Sequence, residues 1–232
     1  MSTAPATPGA GPAPTVRVLA ADVDRFRGSR AGLVRLLRDT APDVVLLHRG
    51  PAHPLGGHRL GSLASDTGLV VVGGGRQAGG AAVLTSLRVD TRGTTTYRGH
   101  GGGLVLTGAR LVGGQAFRLA VVDARGDDAD AASVAAHLLA LLAEDGSGLP
   151  TVVAGPLPGT AAGDTLASRL VDLTPGATPT SPAADPKRRL LGLVGSDADV
   201  RPVPLPGEPG RRPVLLAKVL ASRPTLVELR LP

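Results

Sequence analysis

The sequence predicts an α/β (α+β) fold of mixed, mainly antiparallel strands with helices between them, and three observations carry that reading. An apolar strand, an amphipathic helix and a second apolar strand open the ordered chain. A run of short strands parted by glycine-rich breaks fills the middle. A long helix, a further buried strand and a proline-rich third with strand-like segments complete it.

Residues 1–14 (MSTAPATPGAGPAP) form a Pro/Ala/Gly tail too poor in large apolar groups to fold. The domain is expected over 15–232. TVRVLAA (15–21) reads as a buried strand. Gly28 and Ser29 offer an N-cap for a helix over about 30–40, in which Leu33, Val34, Leu36 and Leu37 form an apolar stripe. Pro42 stops it, and DVVLL (43–47) is a second apolar strand. A strand, helix and strand of these lengths form a right-handed crossover between two parallel strands.

A Pro/Gly/His loop (50–57) leads to a short helix near 60–66. Strands follow at 68–72, 81–89, 104–111 and 116–123, and the breaks GGGRQAGG and RGHGGG make them an antiparallel meander. A helix over about 128–144 begins with acidic residues that complement its dipole. TVVAG (151–155) is a buried strand and 161–170 a short helix. Strands are expected at 190–194, 200–204, 213–219 and 225–231.

Composition narrows the function classes. The chain of 232 residues has no Cys, Ile, Trp or Asn, and its aromatics are Phe26, Tyr97 and Phe117. Disulfides, thiolate metal sites and a catalytic thiol are excluded. The core must be Leu, Val and Ala. A net charge of +6 points toward nucleic acid, but Lys occurs only at Lys187 and Lys218, and an Arg/Ala/Gly/Pro-rich chain is also what a GC-rich genome encodes. Few aromatics argue against stacking on single-stranded bases. No apolar run reaches the roughly 18–20 residues of a membrane span, and the N-terminus lacks a signal peptide's basic and apolar regions. The expectation is a cytoplasmic protein with no membrane partner.

Seven segments, in order, resemble the endonuclease/exonuclease/phosphatase superfamily, built on the pancreatic-deoxyribonuclease fold. TVRVLAADVDRFRG is similar to the opening strand that ends in W-N-V, and APDVVLLHR to A-P-D-V-V-x-L-Q-E. QAGGAAVLTS resembles G-G-N-A-V-L-S-R, and FRLAVVDARGDD the strand that carries the family's His. LPTVVAGPLPGT resembles P-V-V-v-G-D-F-N. TSPAADPKRRLLGLVGS resembles T-f-P-a-x-P-x-R-R-I-D-Y-I, and ASRPTLVELRL resembles S-D-H-R-P-V-L-A-E-L. The resemblance implies a four-layer sandwich of two mixed, mainly antiparallel β-sheets with helices on the outer faces.

It also implies a hydrolytic site for phosphate esters that needs a hard divalent cation, oxygen ligands and a His. This sequence departs from that site position by position. The first-strand Asn becomes Asp22, and the metal-binding Glu becomes Arg49, whose fixed charge repels a cation. The family's Gln becomes His48, its His becomes Asp123, and the Asp and Asn of G-D-F-N become Pro156 and Pro158. The Asp after the Arg188–Arg189 pair becomes Leu191, and the final Asp-His pair is missing beside Arg223. Side-by-side ends of the first two strands would set Arg49 against Asp22, with Asp123 as a second partner.

Other candidates are weaker. His53 and His58 are read as one solvated loop, and His137 as a surface or structural histidine. The glycine runs lack G-x-x-x-x-G-K-[ST] spacing and read as turns. Arg188–Arg189 and Arg211–Arg212 read as surface, with Arg188 or Arg189 able to face an anion in the remnant cleft. The expected function is a non-catalytic binding or scaffold domain with no cofactor, its partner a protein or a small anionic ligand. The alternative is a residual magnesium-dependent phosphodiesterase, phosphatase or nuclease using Asp22 and Asp123 in a shifted site. A sequence-independent nucleic-acid binder is a third reading.

Overall fold

A computed structural model of the chain describes residues 15–156, 160–172, 192–196, 199–202 and 224–230. The expectations placed on 1–14 and 213–219, on Arg211 and Arg212, and on Pro158, Arg188, Arg189, Leu191 and Arg223 lie outside the described residues.

The chain opens with β1 (Thr15–Asp22), α1 (Arg30–Thr40) and β2 (Val44–His48), and β1 and β2 are parallel neighbours. Ser29 caps α1 as the sequence predicts, its side chain accepting from Gly32 N at 3.1 Å. Next come α2 (Gly56–Thr67), β3 (Val70–Gly74), β4 (Ala82–Thr85), β5 (Val89–Gly99), β6 (Gly102–Leu111) and β7 (Ala116–Ala124). Then follow α3 (Asp128–Asp145), β8 (Thr151–Gly155), α4 (Ala161–Ala167), β9 (Val171–Asp172), β10 (Gly192–Ser196), β11 (Asp199–Pro202) and β12 (Thr225–Arg230).

The strands form two six-stranded sheets, ordered β11-β12-β1-β2-β4-β3 and β5-β6-β7-β8-β10-β9. Alternation along each strand decides the layers. Val16, Val18, Ala20, Val44 and Leu46 face Val105, Phe117, Leu119, Val121, Val152 and Ala154 across the seam between the sheets. Leu19, Ala21, Val45 and Leu47 turn outward onto Leu33, Leu36, Leu37, Leu60 and Leu63 of α1 and α2. On the other flank, Leu104, Ala120, Val122 and Val153 pack on Val134, Leu138 and Leu166 of α3 and α4. The result is the four-layer sandwich with helices outside.

Three expectations need correction. The single strand over 81–89 is two, because Ser86–Arg88 turn the chain from one sheet into the other and β5 runs on to Gly99. β5 escapes sequence reading because it is a sheet-edge strand, polar and exposed on both faces, with a bulge between Arg92 and Thr95. The meander is therefore split: β3 and β4 belong to one sheet and β5–β7 to the other. The second helix begins at Gly56, so His58 is helical and only His53 lies in the loop.

Candidate functional site: a cluster of ion pairs at the strand ends

Parity along the strands places the site. Asp22 continues the inward series Val16, Val18, Ala20; His48 continues Val44, Leu46; Asp123 continues Phe117, Leu119, Val121. All three therefore point into the seam between the sheets at the carboxyl ends of β1, β2 and β7. Asp22 and His48 are register partners. Pro156, half-buried, follows β8 at the same end.

Arg49 joins them through an unusual backbone. Its φ of 53° lies in the left-handed region, which costs a non-glycine residue about 1–2 kcal/mol. The neighbouring backbone fixes that conformation. Val23 N donates to His48 O at 3.1 Å, Arg25 N to Arg49 O at 2.6 Å, and Gly50 N to Gly80 O at 2.7 Å. So aimed, Arg49 Nε donates to both oxygens of Asp22, at 2.8 and 2.9 Å, and its Nη1 lies 3.7 Å from Asp24 Oδ1. Asp24 N also donates to Asp22 Oδ1, at 3.2 Å. Burial works against the Arg49 charge, but the bond to Asp22 and the charges of Asp22, Asp24 and Asp123 prevail, and its pKa is raised.

Asp123 is fully buried and has a different guanidinium from the expected one. Arg125, not Arg49, holds it: Nε donates to Oδ1 at 2.9 Å and Nη2 to Oδ2. Arg49 contributes only at longer range. Residues i and i+2 of an extended segment share a face, so the run Asp123-Ala124-Arg125 contained this pairing. Gly80 makes the room: a Cβ there would run into Arg125 Nη2, Gly50 O (2.6 Å) and Asp123 Oδ2 (2.8 Å).

His48 lies between the two pairs, its Nε2 3.5 Å from Asp123 Oδ1 and its buried Nδ1 without a partner among the described residues. Burial lowers its pKa, against the opposing pull of Asp123 and Asp22. The ring is neutral at neutral pH.

The structure thus brings Asp22, His48, Arg49 and Asp123 together, and adds Asp24, Gly80 and Arg125. His137 stands apart on α3, its ring centroid 4.1 Å from that of Tyr97. These residues do not fit a divalent cation, which needs several carboxylate or carbonyl oxygens free to ligate. Both carboxyls are already chelated by guanidinium, and an ion among them would meet two fixed positive charges. Among the described residues no group of three or more His, Asp or Glu is placed to hold a metal.

No protein-family model and no curated protein matches the sequence. Solved structures do. The chain is similar to an endonuclease/exonuclease/phosphatase from Bacteroides vulgatus, with TM-score 0.74 and 14% identity over 94% of this chain and 100% of that one. It is also similar to the human Nocturnin catalytic domain with bound sulfate (TM-score 0.67, 15% identity, 93% and 94% of the two chains). Truncated Caenorhabditis elegans TDP2 gives TM-score 0.66 and 13% identity, over 93% and 97%. This is the endonuclease/exonuclease/phosphatase fold. Within that fold the ion-pair cluster occupies one end of the seam, reached by the loops after β1, β2 and β7. The turn β5–β6 and the turn Gly75–Ala78 close the same end, since Gly102 pairs with Ala124 and Gly74 with Ala82.

Proposed function

We propose that this chain is a non-catalytic binding or scaffold domain on the endonuclease/exonuclease/phosphatase fold. One observation carries the reading: each inward carboxylate at the strand ends, Asp22 and Asp123, is chelated by its own arginine. A guanidinium so placed opposes the approach of a cation to the same carboxylate, because the two positive charges repel. His48 is largely buried, and burial disfavours the protonated form it would have to take as a general base in its place.

Binding is left to the rim. Three aspartates, two arginines and a neutral His48 give the floor a net charge of about −1, so an anionic ligand is not drawn to the floor itself. Arg25, Arg76 and Arg98 are exposed around it, with Arg98 Nη1 donating to Arg76 O at 3.1 Å, and none forms an ion pair with a described carboxylate. A small anion or an acidic segment of a partner protein engages these, with Arg49 at the inner edge.

Calorimetric titration of chelator-stripped protein with Mg2+ and then Mn2+ tests the reading. The expected result is no saturable heat with either ion. Saturable binding near one ion per chain would instead support a residual metal-dependent phosphoesterase, to be followed by a phosphate-ester screen with Asp22→Asn and Asp123→Asn.

A further inference from the structure

We infer that Arg49 and Arg125 are fixed counter-cations built into the chain, and that they hold the strand-end cluster together where the fold otherwise calls for a bound divalent ion. The inference rests on the non-catalytic reading and goes beyond it, because it assigns a positive role to two residues instead of only a lost one.

Three independent features converge on it. The first is chelation: Asp22 receives Arg49 through both oxygens, and Asp123 receives Arg125 through both. Two carboxylates from different sheets are each met by a guanidinium from the loop that follows a strand. The second is backbone accommodation. Arg49 adopts a left-handed φ of 53° that only a well-bonded loop tolerates, and the bonds from Arg25 N and Gly50 N on either side supply that support. Gly80, at φ 111°, has no Cβ, and a Cβ there would collide with the Arg125–Asp123 pair. Two parts of the main chain are shaped to let the guanidiniums in.

The third feature is charge. Asp123 is fully buried and Asp22 nearly so, and an uncompensated carboxylate at such depth is strongly unfavourable. His48 supplies no compensation while neutral, and Asp24 adds a further negative charge beside Arg49. The two arginines are the only cations among the described residues that contact these carboxylates. Without one of them, the acids would need a cation from solvent.

The test uses the full chain and three variants: Arg49→Gln, Arg125→Gln and the charge-conserving Arg49→Lys. Thermal midpoint and calorimetric binding are read in chelator and in millimolar Mn2+ or Mg2+. Wild type and Arg49→Lys are expected to ignore both ions. Each Gln variant is expected to melt lower in chelator and to regain stability saturably with Mn2+, since a ligand that binds only the folded state stabilises it. A Gln variant that unfolds in chelator but folds with Mn2+ supports the proposal equally. Gln variants that neither bind Mn2+ nor gain stability from it, or that stay unfolded with and without it, overturn the proposal and leave the non-catalytic reading standing. Saturable Mn2+ binding by wild type overturns both.

Discussion

Charge compensation at single residues sets what the strand-end cluster can do. Asp22 and Asp123 sit where water is nearly excluded, and each is met by a guanidinium. His48 shares that burial without a strong partner, and burial holds its pKa below the ordinary 6.5. The unfolded chain therefore takes up the proton at a higher pH than the folded one does. Stability linked to His48 is fully present above about pH 6.5 and is lost as pH falls toward the depressed folded value. Urea midpoints measured from about pH 7.5 down to 5.5 should decline, and His48→Gln should flatten that slope. An unchanged slope in the variant would place the proton elsewhere. Of the cluster, Asp22, His48, Arg49 and Asp123 are legible in the sequence through the family resemblance, which sets each of them at a site position. Arg125 stands outside those site positions, although strand parity sets it on the same face as Asp123. Gly80 was not legible, since its role depends on a main-chain approach between segments about thirty and forty residues away in sequence.

Local signals explain the helices and their ends. α1 runs from Arg30 to Thr40 behind the N-cap Ser29, with Ala41 in the left-handed conformation (φ 41°) as its C-cap. Ser29→Ala should cost about 1 kcal/mol by chemical denaturation, as loss of an N-cap hydrogen bond does. α3 is capped by Asp127, which accepts from Asp130 N at 2.9 Å, and its far end is tied to β7 by the buried Arg118. That guanidinium donates to Leu142 O at 3.3 Å and to Asp145 and Ser147, and burial lowers its pKa. At the end of the sandwich opposite the cluster, Asp43 accepts from Arg17 N at 3.0 Å and Arg88 Nη1 at 2.9 Å. It joins β1, the start of β2 and the turn that carries the chain between sheets. The caps could be read from short windows. The Arg118 and Asp43 anchors span at least two dozen residues and could not.

The whole molecule depends on a seam of small apolar side chains. Val and Ala dominate the contact between the sheets, and Phe117 is the one aromatic there, fully buried. It is the largest fully buried side chain among the described residues. Phe117→Ala should therefore cost about 3–5 kcal/mol, the cavity term adding to the lost transfer energy, as measured by urea unfolding. A loss well below that would mean that the seam closes over the gap.

The sequence by itself determined most strands and helices and the parallel β1–β2 start, because alternation, caps and glycine breaks act over a few residues, while the four-layer class followed from the resemblance of its segments to a known superfamily. It also showed which chemical groups stand at the ends of those strands. Tertiary structure alone decided how the strands after β3 divide between two sheets, since a polar edge strand such as β5 is held by pairing with β6 and not by a hydrophobic pattern of its own. It alone decided that Asp123 is held by Arg125 and not also by Arg49, because guanidiniums choose among carboxylates by distance and burial. Whether Asp123 comes within the reach of Arg49 is set only once the two sheets have closed.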